Sequence, residues 1–209
     1  MYYFLKGINM SFYKKLSIVC CLIISMGVVH ADVKEDASGV VREFQNELLN
    51  VMQQGDALDF TQRFERLKPV VTKSHDLVKM TRIVMSKQWK SFTKAQKKLL
   101  IKKISDLSVT SYAHYFTNYS GESFNIDSVK QVSPTQIYVH TTLVLPEEND
   151  VSMDYLLKKK GKNWHIVNII TNGISDLALK RSEYVAVLKK SGLDALLAQL
   201  DVKIAKFSK

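Results

Sequence analysis

Residues 163–184 read NWHIVNIITNGISDLALKRSEY. The first nine are rich in β-branched and aromatic residues and read as a strand. Apolar side chains fall on both faces, Trp164, Ile166 and Ile170 on one and Val167 and Ile169 on the other. Asn172-Gly173 stops the run, and helical spacing starts at once from Ile174. Sheet therefore meets helix at Gly173, a residue that turns the chain without steric penalty. One strand face is expected to serve the core and the other a ligand.

Upstream of residue 163 the apolar period is two. Strands are expected over 123–132, 136–145 and 151–160. Ile137, Val139, Thr141, Leu143 and Leu145 share one face of the second, and Val151, Met153, Tyr155 and Leu157 share one face of the third. Consecutive strands on short turns imply an antiparallel meander. Further upstream the period is that of a helix. Helices are expected over 32–54, 60–73 and 75–88, with Pro69 a break or a new first turn. Thr93-Lys-Ala-Gln96 is a capping box that starts a long helix to about Tyr119. Downstream, helices over 174–190 and 193–207 flank a break at Ser191-Gly192. Helices, then strands, then helices argue an α+β fold, with a curved antiparallel sheet of about four strands packed against helices.

The N-terminus reads as a targeting segment. Lys14 and Lys15 precede an apolar run over 16–29, and Val29-His30-Ala31 gives a small-x-small cleavage pattern. The expected organisation is a cleaved signal peptide, 1–31, and a single domain, 32–209. Cys20 and Cys21 both lie in the removed part, so the mature chain has no thiol chemistry. The full chain carries 30 basic and 20 acidic residues, net +10. Lys6, Lys14 and Lys15 are the only charges before Asp32, which leaves 27 against 20, or +7. On an exported chain this fits an anionic membrane surface or an acidic partner protein, not nucleic acid.

Catalytic signals are sparse. The histidines past the signal segment are His75, His114, His140 and His165, and no two have the helical spacing of metal ligands. A nucleophile elbow and a glycine-rich phosphate loop are both missing from the sequence. Asp154, beside the expected pocket, could serve as a base in an enzyme reading. The expectation is no catalytic residue, no metal and no cofactor.

Several segments, taken together and in order, resemble the MlaC (toluene-tolerance) family. They are Lys79-Met80-Thr81-Arg82, Trp89, Ser111-Tyr112-Ala113, Tyr119-Ser-Gly-Glu122, Asp154-Tyr155, Asn163-Trp164, Asn172-Gly173-Ile174-Ser175, Arg181-Ser182-Glu183-Tyr184 and Ser191-Gly192-Leu193-Asp194. The resemblance implies an NTF2-like fold around an apolar lipid pocket. It also implies a monomeric periplasmic carrier with a glycerophospholipid as cargo. Its implied partners are an inner-membrane MCE-domain ABC transporter and an outer-membrane lipoprotein–porin complex, and its role is to maintain outer-membrane lipid asymmetry. The chain departs from the family at His75 and Leu77, where phenylalanines are usual, at Ser86 (glycine), Asn168 (often aspartate) and Tyr184 (phenylalanine). Carriage of another apolar lipid, such as a hopanoid, stays open, as does an NTF2-like enzyme.

Alternation alone would make the inward strand residues core. With the resemblance, the expected pocket lining is Met80, Val84, Tyr112, Phe116, Val139, Thr141, Leu143, Met153, Tyr155, Leu157, Trp164, Ile166 and Ile174. Lys90, Lys94 and Arg181 are candidates for contact with a partner or a headgroup, against the plainer reading of a solvated basic face.

Overall fold

A computed structural model describes residues 12–146 and 148–208, with side chains from Val33 onward. Residues 1–11 of the segment read as a signal peptide lie outside the described residues, and of 12–31 only the backbone is described. The elements are α1 (Phe12–Gln54), α2 (Phe60–Ser74), α3 (Leu77–Met85), α4 (Lys94–Tyr115), β1 (Ser123–Ser133), β2 (Gln136–Val144), β3 (Val151–Lys160), β4 (Asn163–Thr171), β5 (Ile174–Ser175) and α5 (Asp176–Phe207). The strands form one antiparallel sheet in sequence order. Among the described residues, no helix is long and apolar enough to cross a membrane.

The sheet has one dry face. Ile137, Val139 and Thr141 of β2, Tyr155 and Leu157 of β3, and Trp164 and Ile166 of β4 are buried there with the helices packed over them. The opposite face is polar: His140 Nδ1 lies 3.0 Å from Asp154 Oδ1, and Tyr138 stacks on His140. An antiparallel sheet tolerates water on one side, so this division is stable. Asp154 therefore points away from Met153 and Tyr155, and the enzyme reading loses the base it named.

The two-faced apolar pattern of β4 has a different cause from the one expected. Leu156 pairs with Asn168 but Leu157 pairs with Ile166, which leaves Val167 as a bulged extra residue. The bulge shifts the alternation by one. Trp164 and Ile166 before it, and Ile169 after it, all turn to the dry face. Trp164, Ile166 and Ile169 thus serve one surface although they come from both apolar sets, while Ile170 pairs with Asp154 on the opposite face.

The Asn172-Gly173 junction also differs. It is a two-residue hairpin, not a direct entry into helix: Thr171 pairs with Ile174 and Ile170 with Ser175. Asn172 and Gly173 both have positive φ, 48° and 80°, as a type I′ turn requires. Helix α5 then starts one residue after the short β5. Ser175 caps it by accepting the Ala178 N–H, and the Ser175 hydroxyl donates to Asn168 Oδ1 at 3.1 Å. Asn168 thereby ties the middle of β4 to the start of α5.

Other boundaries moved for local reasons. Helix α2 runs through Pro69 without a break, because Leu67 and Val71 on either side are both fully buried and hold the turn in place. Helix α4 starts at the expected capping box, with Thr93 accepting the Gln96 N–H, but ends at Tyr115, four residues early. Helix α5 is interrupted at Gly192, whose φ of 80° and ψ of −175° are not helical.

The third helix stops at Met85, where Ser86 takes φ 51° and ψ −131°. That region strains any residue with a Cβ. The glycine usual in the resembled family fits the same backbone freely. Ser86→Gly is therefore expected to stabilise the fold by about 1 kcal/mol, the relieved strain less the extra freedom of the unfolded chain. Urea unfolding would read this as a higher midpoint at unchanged slope, and a lower midpoint would contradict it.

Candidate functional site

A cavity of about 370 Å³ lies between the dry sheet face and helices α3, α4 and α5. Its inner end is formed by His75, Met80, Met153 and Ile169, all less than a tenth exposed. Its outer end is formed by Tyr115, Thr171 and Phe207, with Asp176 and Lys180. Helix α4 runs along one wall, so Ser108, Ser111, Tyr112, Tyr115 and Phe116 lead from the interior to the rim. At the rim His114 stacks on Phe207, and Lys180 Nζ pairs with Asp176 Oδ2 at 2.8 Å.

The dry end is closed by aromatic packing. Phe44 of α1 meets His75, Tyr112 and Tyr155 edge-on, with centroids 4.9, 5.0 and 6.3 Å away. Behind them Gln45 Nε2 donates to Thr141 Oγ1 at 3.1 Å, and Thr141 donates to the Met153 carbonyl at 2.7 Å. Burial pushes the hydroxyls of Tyr112 and Tyr155 well above the usual tyrosine range, so both stay neutral.

His75 is the unusual member. The residue is 3% exposed. Burial drives its pKa down to about 3, and the nearby Lys180 ammonium pushes the same way. The imidazole is thus neutral at ordinary pH. The Ser74 hydroxyl donates to the Val70 carbonyl at 2.6 Å, so toward His75 Nδ1, 2.8 Å away, it can only accept. The proton therefore sits on Nδ1, and Nε2 presents a lone pair to Tyr112 Oη at 3.3 Å.

The expected lining residues divide. Met80, Tyr112, Phe116 and Met153 border the cavity. Val84, Val139, Thr141, Leu143, Tyr155, Leu157 and Ile166 lie in the packed core, and Ile174 is mostly exposed. Trp164 borders a separate cleft of about 320 Å³ with Asp36, Glu43, Lys73 and Lys162, whose charged walls suit an apolar guest poorly. Lys90 and Arg181 line neighbouring grooves that meet at Ser86, and Lys94 is exposed at the start of α4. Sequence reasoning missed His75, Ile169, Lys180 and Phe207 as lining residues. The departure from the usual phenylalanine at position 75 was the available signal for the first. Among the described residues, no three His, Cys, Asp or Glu side chains are grouped to hold a metal ion.

A family model described as "MlaC protein" matches residues 42–202. The chain belongs to the MlaC family. It is 25% identical over 122 residues to the intermembrane phospholipid transport system binding protein MlaC of Haemophilus influenzae, a match spanning 56% of each chain. Just over half the length of that relative is therefore covered. The fold matches that of a phospholipid-binding protein from Ralstonia solanacearum, solved in complex with a phospholipid, at a TM-score of 0.74 and 20% identity. That likeness covers 83% of this chain and 99% of the other. This MlaC-family chain therefore has the α+β fold expected of it, with a fifth short strand added.

Proposed function

We propose that this MlaC-family protein carries phospholipid through the periplasm, as a binding protein rather than an enzyme. The observation that carries the reading is the cavity itself: Met80, Phe116, Met153 and Ile169 give it apolar walls, and its only ion pair sits at the rim. The names of its relatives, a transport-system binding protein and a protein in complex with phospholipid, support the same reading.

The energetics suit a carrier. Two acyl chains hold some 30 methylenes, each worth about 0.8 kcal/mol when removed from water, roughly 25 kcal/mol in all. A bilayer offers nearly the same amount. A carrier must match the membrane without greatly exceeding it, or it could not deliver. A cavity with few fixed polar contacts meets that need. Methionines at 80 and 153 add plasticity.

In this proposal residues 1–31 are a cleaved signal peptide and 32–209 the carrier domain. Its partners are an inner-membrane MCE-domain ABC transporter and an outer-membrane lipoprotein–porin complex, approached through the basic surface that includes Lys90, Lys94 and Arg181. The net effect is maintenance of outer-membrane lipid asymmetry.

Native mass spectrometry of the purified protein is expected to show co-purifying glycerophospholipid. Met153→Asp places a charge on the dry end of the cavity and should cut bound lipid at least tenfold, since burying an unpaired carboxylate beside acyl chains is prohibitive. A folded, lipid-free wild-type protein that also takes none from vesicles would end the proposal.

A further inference from the structure

We propose that the outer face of α3, with the start of α4 and the end of β3, docks this protein on an anionic phospholipid surface. The inference takes the exported location from the carrier reading above and goes beyond it, giving the chain a contact with the bilayer itself.

Charge is the first observation. Residues 77–105 hold nine basic side chains, eight lysines and one arginine, and no acid. Folding does not disperse them. One groove joins Lys79 and Arg82 of α3 to Lys158, Lys159 and Lys160 at the end of β3. The next joins the same Lys79 and Arg82 to Trp89 and Lys90. Lys97, in the first turn of α4, sets its Nζ 5.5 Å from the centroid of the Trp89 ring. Among the described residues Asp76 is the only acid in either groove, and it is committed: Oδ1 accepts the Lys79 N–H at 3.0 Å, and Oδ2 lies 3.5 Å from Lys160 Nζ. Of the nine cations, Lys102 and Lys103 pair with Asp106 and Asp201; among the described residues the other seven have no carboxylate partner. Like charges crowded in this way repel one another, and an anionic surface relieves that repulsion.

The kind of cation is the second, and it separates a membrane from an acidic protein. Interfaces between proteins are enriched in arginine and depleted in lysine. The planar guanidinium fork suits a carboxylate held at a fixed place, whereas lysine is a hydrated point charge on a flexible stem. A layer of mobile headgroups has no fixed register, and it attracts each nearby cation through its field. Eight lysines to one arginine therefore fit a lipid surface better than a protein partner. Trp89, half-buried between these cations, and the exposed Val78 add apolar side chains of the kind that a headgroup layer accommodates.

Position is the third. Helix α4 has 22 residues, so about 30 Å separates its basic first turn from Tyr115 at the cavity rim. Strand β3 likewise runs from Met153 beside the cavity to Lys160 in the basic groove. The docking face and the rim thus lie at opposite ends of the same elements. Docking holds the protein at a membrane without drawing on the residues that line the cavity.

The test floats the protein on vesicles of dioleoyl phosphatidylcholine, with and without dioleoyl phosphatidylglycerol. Wild-type protein is expected to float only with the anionic vesicles. Binding should fade as salt is raised toward about 1 M, where the screening length is ~3 Å. Each cation near an anionic surface strengthens binding roughly fivefold, so the triple change Arg82→Gln, Lys87→Gln and Lys98→Gln should weaken it on the order of a hundredfold. All three side chains are exposed. A matched triple, Lys34→Gln, Lys130→Gln and Lys190→Gln, removes the same net charge from exposed positions that line neither groove. It should bind within about threefold of wild type, because charges beyond the screening length contribute little. Native mass spectrometry should show the same co-purifying lipid in wild type and both triples. Equal flotation with and without phosphatidylglycerol, or equal weakening by the two triples, overturns the inference. Capture by immobilised polyglutamate without flotation on the anionic vesicles overturns it in favour of an acidic protein partner. Loss of co-purifying lipid in the folded Arg82 triple also overturns it, since the face would then serve the cavity. Wild-type protein that floats as expected yet neither contains nor takes up lipid supports the docking face and ends the carrier reading.

Discussion

His75→Phe is expected to abolish roughly 3 kcal/mol of the stability loss that the wild-type protein undergoes between pH 7 and pH 4. The folded state holds the His75 imidazole neutral down to about pH 3, whereas an unfolded histidine takes up its proton near pH 6.5. Between those values the unfolded chain binds one proton more than the folded chain. Stability therefore rises with pH across that window and is flat above it. Each pH unit inside the window is worth about 1.4 kcal/mol, so acidification from 6.5 to 4 costs roughly 3 kcal/mol from this one residue. Of the groups facing the ring, the Val71 carbonyl favours the charged form but does not outweigh burial. Ser74 and Tyr112 are neutral, and Lys180 opposes a second positive charge. Phenylalanine fits the same aromatic nest against Phe44 and Tyr112 and cannot titrate. Urea unfolding of both proteins at several pH values would measure the effect. Parallel stability–pH curves would show that His75 is not buried neutral as the geometry requires.

That residue also marks the limit of what the sequence disclosed. Strict alternation made β2, β3 and the ends of β4 legible, and the reciprocal Thr93–Gln96 cap placed the start of α4. The Asn172-Gly173 pair was a hairpin signal in plain view, but the helical pattern after it hid a partner strand only two residues long. The Val167 bulge could not be read, because one extra residue imitates a strand buried on both faces. The cavity was harder still. Period two separates a wet face from a dry face, yet says nothing of where the dry face is filled and where it is hollow. Val139, Leu157 and Ile166 are met by helix side chains, while Met153 and Ile169 on the same face are left partly uncovered. That difference depends on where α3, α4 and α5 cross the sheet, which the strands' own sequence does not encode.

Phe44→Ala is expected to destabilise the protein by about 3–5 kcal/mol, the range for truncating a fully buried aromatic residue. Phe44 has no exposed surface and stands where three aromatic edges converge, those of His75, Tyr112 and Tyr155. Those edge-on contacts add to the burial of the ring itself. The void left behind would adjoin His75 and Tyr112, which border the cavity, so it would extend the pocket rather than collapse. The change should therefore be partly recovered by a ligand. A lipid able to fill the extended pocket binds only the folded state and raises stability by mass action. The deficit against wild type is then expected to narrow when unfolding is followed in the presence of dipalmitoyl phospholipid vesicles. Phe60, half-buried on α2 and not among the residues that line the cavity, supplies the contrast: Phe60→Ala should cost less and show no lipid recovery. A Phe44→Ala variant within 1 kcal/mol of wild type would mean that the ring does not hold the floor of the cavity. A deficit of full size that lipid leaves unchanged would separate this position from the pocket and confine it to the core.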